Sequence, residues 1–381
     1  MRVVCAPNAF KGSITAGDAA AAMARGVVEA GALATVVPVA DGGDGTLDVL
    51  LASDPGSRVI TVHASGPLGD PAVARLGILN LGRARDATAV VEMAEASGLR
   101  LLRPDRLDPL HATSRGTGGM IRVALGQRVT RIIVAVGGSA SSDGGAGALQ
   151  ALGVRLLDAE GRDIGPGGAA LRALESIDMS GLDPRLQGVR MEVAVDVRTP
   201  LLGEEGAARV FGPQKGASPD DIAVLEAGLT RLAAIAERDC GAAGLAAARG
   251  AGAAGGLAFG LGLLGATLVA GAPLVCDLVH LDRAIAGAGL VLTGEGRLDA
   301  QTAMGKAPSE VARRAAAAGV PCVAIAGTVE ARLPELFSDA VALDHLAPTT
   351  AGRDIAAALL VRAAAHVVRS YGVGSRAGIN L

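Results

Sequence analysis

Three lysines, Lys11, Lys215 and Lys306, stand among 35 basic residues, the other 32 being arginine. Each adjoins a glycine, in Phe10-Lys11-Gly12-Ser13, Gly212-Pro213-Gln214-Lys215-Gly216-Ala217-Ser218 and Met304-Gly305-Lys306-Ala307-Pro308. A compact ammonium on a flexible stem is a point charge that a planar guanidinium does not imitate. The pattern points to contacts with anions, phosphate or carboxylate, against the plainer reading of pairing with internal carboxylates. A second set of residues is acidic: Asp41, Asp44, Asp143, Asp196, Glu295 and Asp299 lie in glycine-flanked loops or at strand ends. Asp-Gly is ordinary turn chemistry, but six such acids beside lone lysines match the needs of phosphoryl transfer. That reaction uses carboxylates to hold magnesium, one carboxylate to orient or deprotonate the acceptor hydroxyl, and cations for the phosphates.

The elements that must position these residues are legible from periodicity. Arg2 to Ala6 reads as a strand, and Thr15 with Asp18 resembles a capping box opening an alanine-rich helix to about Ala30. Ala34 to Val39 reads as the next strand, followed by the loop Asp41 to Thr46 and another helix. Such strand–helix–strand order implies a parallel sheet with right-handed crossovers. The same pattern returns in Arg131 to Val136, Leu290 to Thr293, Cys322 to Ala326 and Ala340 to Leu343. Arg58 to His63, Val73 to Leu79 and Thr88 to Met93 read instead as an antiparallel meander. Val154 to Leu157, Met191 to Asp196 and a helix near Asp220 to Arg238 belong with them. The expected fold is therefore α/β: a Rossmann-like or flavodoxin-like parallel-sheet domain built from both chain ends, with an inserted second α/β domain. Residues 1–56, 111–140 and 286–381 are assigned to the first, and 57–110 with 141–285 to the second. Ligands bind beyond the carboxyl ends of strands in open parallel sheets. The loops from Asn8 to Ser13, Asp41 to Thr46, Gly137 to Gly145 and Thr293 to Asp299 each follow a predicted strand, so they are expected to converge there.

Composition removes other function classes. Half of the 381 residues are hydrophobic but only five are aromatic, so the core must be Ala, Val, Leu and Ile, as in packed α/β layers. A net charge of −3 with no basic block argues against nucleic acid. Four scattered cysteines without a CxxC fit reduced thiols in a cytoplasmic enzyme. The five histidines show no zinc spacing. The first strand is read from Arg2, so no signal peptide is expected. The uncharged stretch from Gly250 to Cys276 is broken by eight glycines and Pro273, so a buried helix is expected rather than a membrane span. Gly250-x-Gly252-x-x-Gly255 and Gly260-x-Gly262-x-x-Gly265 match a dinucleotide fingerprint, but neither follows a strand. A dinucleotide-binding protein thus stays as a lesser alternative. A Walker A loop is absent, since Ala300 and Ala307 occupy its first glycine and its hydroxyl position.

Taken together, the motifs resemble the bacterial, ATP-dependent glycerate kinase family nearly end to end. The family's Ala-Pro-Asp-Ser-Phe-Lys-Gly-Ser is similar to Ala6 through Ser13, and its Ala-Asp-Gly-Gly-Glu-Gly-Thr to Ala40 through Thr46. Thr113-Ser114-Arg115-Gly116-Thr117-Gly118, Gly137-Gly138-Ser139-Ala140 with Asp143 through Gly147, Phe211 through Ala217, Gly250 through Gly256, Thr293 through Asp299 and Gly305-Lys306 continue the match. Asn8 departs from the usual Asp, Ala9 from Ser, Ser142 and Thr199 from Asn, and Gly119 from Glu. The resemblance implies two α/β domains with the active site in the cleft between them, ATP and magnesium as donor system, and D-glycerate as acceptor. The product is expected to be 2-phosphoglycerate, with the 3-phosphate open and another small sugar acid as the alternative acceptor. The expected catalytic residues are Lys11, Asp196 and Asp41. Asn8, Ser13, Asp44, Arg115, Asp143, Lys215, Gly294, Glu295, Arg297 and Lys306 are expected to bind substrate or nucleotide, and Asp299 and Asp41 the metal. No membrane partner is expected, and the chain is left between monomer and homodimer.

Overall fold

The apolar run Arg2–Cys5 forms a strand whose last three residues are fully buried in the computed structural model, which describes residues 1–80, 87–299, 302, 305–330, 336–343 and 352–372. It pairs in parallel with Leu33–Val36 on one side and Leu290–Thr293 on the other. Cys322–Ala326 and Asp339–Ala342 extend the sheet, again in parallel. The five strands thus lie in the order 2-1-3-4-5 when numbered along the chain within this sheet, which is the flavodoxin-like winding. Helix Ala16–Glu29 opens as its sequence indicates, with the Thr15 hydroxyl accepting from the Asp18 N–H at 3.2 Å. It packs against the C-terminal helix Arg353–Gly372. The contact buries Met23 and Val27 with Leu360 and Val367, in a core that is almost entirely aliphatic.

A second sheet of six strands runs Thr267–Ala270, Arg190–Val195, Arg131–Ala135, Thr88–Glu92, Pro71–Leu79 and Arg58–Ser65. The last three make the expected antiparallel meander, while Thr88–Glu92, Arg131–Ala135 and Arg190–Val195 pair in parallel. Full burial of the strand Thr88–Glu92 fits the apolar run Ala89 to Val91 at its centre.

The chain divides into two units. One holds Met1–Asp41, Asp48–Ser53 and Ala270–Leu381, and the other holds Gly42–Leu47 and Asp54–Val269. Three expectations are corrected here. Residues 42–47 and 54–56, assigned within 1–56 to the domain formed by the chain ends, belong to the second unit. Residues 111–140, assigned to the domain formed by the chain ends, carry the strand Arg131–Ala135 into the six-stranded sheet. A parallel βα pattern is compatible with either sheet, and pairing rather than periodicity decides. Residues 270–285, assigned to the insertion, belong to the first unit. The stretch from Gly250 to Cys276 is also not one helix. Ala253–Leu263 is a mostly buried helical segment interrupted by left-handed backbone at Ala254, Gly255 and Gly256, followed by the strand Thr267–Ala270 and the helix Gly271–Leu278. Among the described residues no helix is long and apolar enough to cross a membrane.

Candidate functional site

In the 2-1-3-4-5 order, the strand succession reverses between Arg2–Cys5 and Leu290–Thr293, and that switch point is where open α/β sheets leave a crevice for ligand. The two loops that leave these strands are tied together. The Asn8 N–H donates to the Gly294 carbonyl at 2.8 Å, and the Thr293 hydroxyl donates to the Ala6 carbonyl at 2.8 Å. Gly294 is required by this closeness, because a Cβ there would fall 1.8 Å from the Ile325 carbonyl oxygen. The Asn8 amide donates to the Asp41 carboxylate at 3.2 Å, while its oxygen accepts the Ala9 N–H at 2.8 Å. Lys11 stands exposed at the tip of a tight turn closed by the Phe10–Ile14 bridge, with Ser13 half-buried beside it. No hydrogen bond or ion pair engages its ammonium among the described residues.

Glu295, in the loop after Leu290–Thr293, is the buried acid of this site, 7% exposed. The Thr302 hydroxyl donates to it at 2.9 Å. Burial pushes the Glu295 carboxyl up to about 7; the Lys306 ammonium and the Thr302 hydrogen bond oppose the rise, and the charges of Asp41 and Asp299 add to it. Thr302, a residue the sequence did not single out, also accepts the Asp299 backbone N–H at 3.2 Å, so its hydroxyl links the Glu295 carboxylate to the main chain at Asp299. Lys306 stands half-buried at the start of helix Ala307–Ala317, while Met304 lies outside the described residues. Arg297 is exposed and its guanidinium is engaged by Glu330 and, at 3.6 Å, by Asp299.

Because the Glu295 carboxyl titrates higher in the fold than in the unfolded chain, its contribution to stability is full below about 4.5 and is lost as pH rises through about 7. A shift of that size corresponds to about 3 kcal/mol. Glu295→Gln, whose amide oxygen can still accept from Thr302, should therefore be the more stable protein at pH 8 and show a smaller difference in urea midpoint between pH 5.5 and pH 8. An unchanged pH dependence of the midpoint would show that Glu295 is ionised normally.

The other expected residues lie in the second unit. Asp44 is exposed, with its carboxylate over the backbone of Gly138, where a Cβ would sit 2.8 Å from Oδ2. Asp196 is exposed directly after the strand Arg190–Val195, at the carboxyl edge of the sheet. Arg115 is exposed as the first residue of helix Arg115–Leu125. Asp143 and Lys215 differ from expectation. Asp143 is fully buried, and its carboxylate accepts from Ser114 N–H at 2.8 Å, Ser114 Oγ at 2.9 Å, Thr113 Oγ1 at 3.2 Å, Gly145 N–H at 3.1 Å and Gly147 N–H at 3.1 Å. Lys215 is 1% exposed and donates from Nζ to the Ser141 carbonyl at 2.5 Å. Burial pushes its ammonium down to about 7, against the pull of the nearby Asp143 charge. In this arrangement Asp143 and Lys215 are engaged by internal backbone and hydroxyl groups of neighbouring loops, as buried polar groups must be.

Sequence reasoning missed Glu92, which is 1% exposed at the end of the strand Thr88–Glu92. Its carboxylate accepts the Gly45 N–H at 3.2 Å and the Leu47 N–H at 2.9 Å. Burial raises its carboxyl above the usual range, these two hydrogen bonds oppose the rise, and the Asp44 charge adds to it. An acid inside an otherwise apolar strand was the available signal.

Among the described residues no group of three or more His, Cys, Asp or Glu could hold a metal ion. Asp41 and Asp299, both close enough to raise the Glu295 carboxyl, fit a magnesium that takes one or two carboxylates and completes its shell with water and phosphate.

Comparison with known proteins agrees with the sequence resemblance. The model of the glycerate kinase family matches residues 3–371. A glycerate kinase of Bacillus subtilis (strain 168) is 48% identical over 332 residues, 86% of this chain and 85% of the relative. A glycerate 2-kinase of Escherichia coli (strain K12) is 44% identical over 334 residues, 86% of each chain. The crystal structure of a candidate glycerate kinase 2 from Salmonella typhimurium LT2 superposes with a TM-score of 0.83 at 41% identity, covering 98% of this chain and 99% of that one. With its motifs, its fold and its relatives in agreement along almost the whole length, the chain belongs to the glycerate kinase family and is a kinase.

Proposed function

We propose that the chain transfers the γ-phosphoryl group of ATP to D-glycerate and releases 2-phosphoglycerate. The observation that carries this reading is the grouping at the first sheet's switch point of Lys11, Asp41, Glu295, Asp299 and Lys306 on loops joined by the Asn8–Gly294 hydrogen bond. Cations and carboxylates at one sheet edge are what an anionic acceptor and a magnesium-bound phosphate require. The name of the Escherichia coli relative, glycerate 2-kinase, supports transfer to the 2-hydroxyl. Magnesium, held by Asp41 and Asp299, would neutralise charge on the phosphates. Lys11 takes the glycerate carboxylate or the transferring phosphoryl group, Lys306 a second anion, and Asn8 hydrogen-bonds an acceptor hydroxyl. Asp44, Arg115, Arg297 and the Ser13 hydroxyl serve substrate or nucleotide from their exposed or half-buried positions. Asp196 orients the acceptor hydroxyl or takes its proton, and Glu295, with a carboxyl poised near neutrality, is the second group suited to that proton.

The test is ADP release with D-glycerate, tartronate, glycerol and erythronate as acceptors, with the product's phosphorylated carbon read by phosphorus NMR. Release with D-glycerate and a signal from the 2-phosphate is expected. Release with none of the acids overturns the reading, and a 3-phosphate corrects the position. Asp196→Asn is expected to lower kcat about a hundredfold with KM little changed and the melting temperature kept. A lower melting temperature with kcat intact would make Asp196 a turn residue.

A further inference from the structure

We propose that Glu92 is a positioning residue for the reaction: it caps helix Thr46–Ser53 from a neighbouring strand and so leaves the Asp44 carboxylate available to a ligand. The inference rests on reading Asp44 as a group that meets substrate or nucleotide.

The first N–H groups of a helix have no partner within it and are normally satisfied by an oxygen from the residue just before it. Here that residue is Gly45, which has no side chain and adopts a left-handed backbone with φ 89°. The nearest acid along the chain is Asp44, and turning inward to cap would be its ordinary fate. Glu92 takes the position instead, with both carboxylate oxygens 3.2 Å from the Gly45 nitrogen and Oε2 2.9 Å from the Leu47 nitrogen. A carboxylate at this end also meets the positive pole of the helix. The rest of the turn is held by the two parallel strands beyond. The Gly137 N–H donates to the Gly42 carbonyl at 3.1 Å, and a Cβ on Gly42 would fall 2.7 Å from the Ala194 carbonyl oxygen. The segment from Gly42 to Leu47 is thus fixed by the ends of three parallel strands at once.

That fixation gives Asp44 its direction. Its carboxylate lies over Gly138, a position only glycine allows at φ 72° with an oxygen 2.8 Å from where Cβ would be. It has no hydrogen-bond or ion-pair partner among the described residues. The guanidinium of Arg100 is near enough for the Asp44 charge to raise it, but it is hydrogen-bonded to the Ala94 carbonyl at 3.1 Å and to Glu95 at 2.6 Å. An exposed acid without a partner among the described residues, on a turn held from three sides, is placed for something outside the chain. Without Glu92, the open helix end would draw Asp44 inward.

The experiment is a double-mutant cycle on kcat/KM with D-glycerate and ATP, using Glu92→Gln, Asp44→Asn and the pair, each with its melting temperature. Glu92→Gln keeps one acceptor oxygen but turns an NH2 toward the turn, and a loss of about tenfold or more in kcat/KM is expected. The pair is expected to lose no more than Asp44→Asn alone, because Glu92 acts through Asp44. Independent, multiplying losses would overturn the positioning role while leaving Asp44 in the site. Wild-type kcat/KM in Asp44→Asn would remove Asp44 from the site and the proposal with it. Should Glu92→Gln not fold, Glu92→Asp replaces it, since a shorter carboxylate reaches one of the two N–H groups. The same non-additivity supports the role, and wild-type kcat/KM in a Glu92→Asp protein overturns it.

Discussion

Asp143→Ala should destabilise the protein by about 4 kcal/mol or more, the largest stability loss expected from any single acid in the chain. Five donors converge on this carboxylate, three of them from Thr113 and Ser114 and two from the turn at Gly145 and Gly147. A hydrogen bond to a charged group is worth about 1.5–3 kcal/mol, and the donors left behind are buried where water cannot replace the lost oxygen. Removing the carboxylate also strips the buried Lys215 ammonium of the nearby charge that favours it. The losses do not add, because the donors share two oxygens. Asp143→Asn should fall between wild type and alanine: an oxygen can stay at Oδ2, where four of the donors meet, while the amide nitrogen opposes the Gly145 N–H. Urea unfolding of the three proteins measures this directly. A ligand-binding role makes the opposite prediction, a lower kcat/KM with an unchanged midpoint, and that outcome would return Asp143 to the site.

Asp143 also shows how far residue types and spacing can be read. An aspartate in Ser-Ser-Asp-Gly-Gly after a strand looks the same whether it faces ligand or its own backbone. What separates the cases is the approach of Thr113 and Ser114, about thirty residues earlier in the chain. Lys215 is the same problem in a cation: rarity and neighbouring glycines marked it as special, and it is, but the long stem turns inward to Ser141. The parallel winding of the first sheet was readable, because alternating strands and helices at both chain ends leave few ways to wind a sheet, whereas the choice between Rossmann-like and flavodoxin-like order came only with the strand pairing. The allegiance of the strand Arg131–Ala135 was not readable either, since its apolar run suits burial in either sheet. Glu92 and Thr302 escaped notice for a related reason. Each acts on a neighbour's direction, through Gly45 and Leu47 in one case and Glu295 in the other, and carries no motif of its own.

Lys11→Ala should lower kcat/KM with D-glycerate by about a hundredfold or more, corresponding to about 3 kcal/mol of lost transition-state stabilisation. The residue is built into a turn that leaves it little freedom of place. Phe10 is buried as an anchor, the Phe10 N–H and the Ile14 carbonyl pair at 3.0 Å, and the Ser13 N–H returns to the Phe10 carbonyl at 2.9 Å. Gly12 completes the reversal at φ 78°. The loop carrying Glu295 runs alongside, with a Cβ on Gly296 only 3.5 Å from the Lys11 nitrogen of the main chain. Lys11 thus stands on a firmly held turn beside the Glu295 loop, its ammonium without an internal partner among the described residues. Its removal should leave the melting temperature nearly unchanged, because an exposed, unpaired side chain contributes little to the fold. Lys11→Arg should fail as well, since a planar fork cannot reproduce a point charge on a short approach. The division between parameters tells which anion Lys11 meets. A rise in KM for glycerate with kcat preserved assigns it to the acceptor's carboxylate, which is present equally in ground and transition states. A fall in kcat assigns it to the phosphoryl group, whose charge is redistributed only during transfer. Wild-type kcat/KM in Lys11→Ala would remove Lys11 from the site altogether.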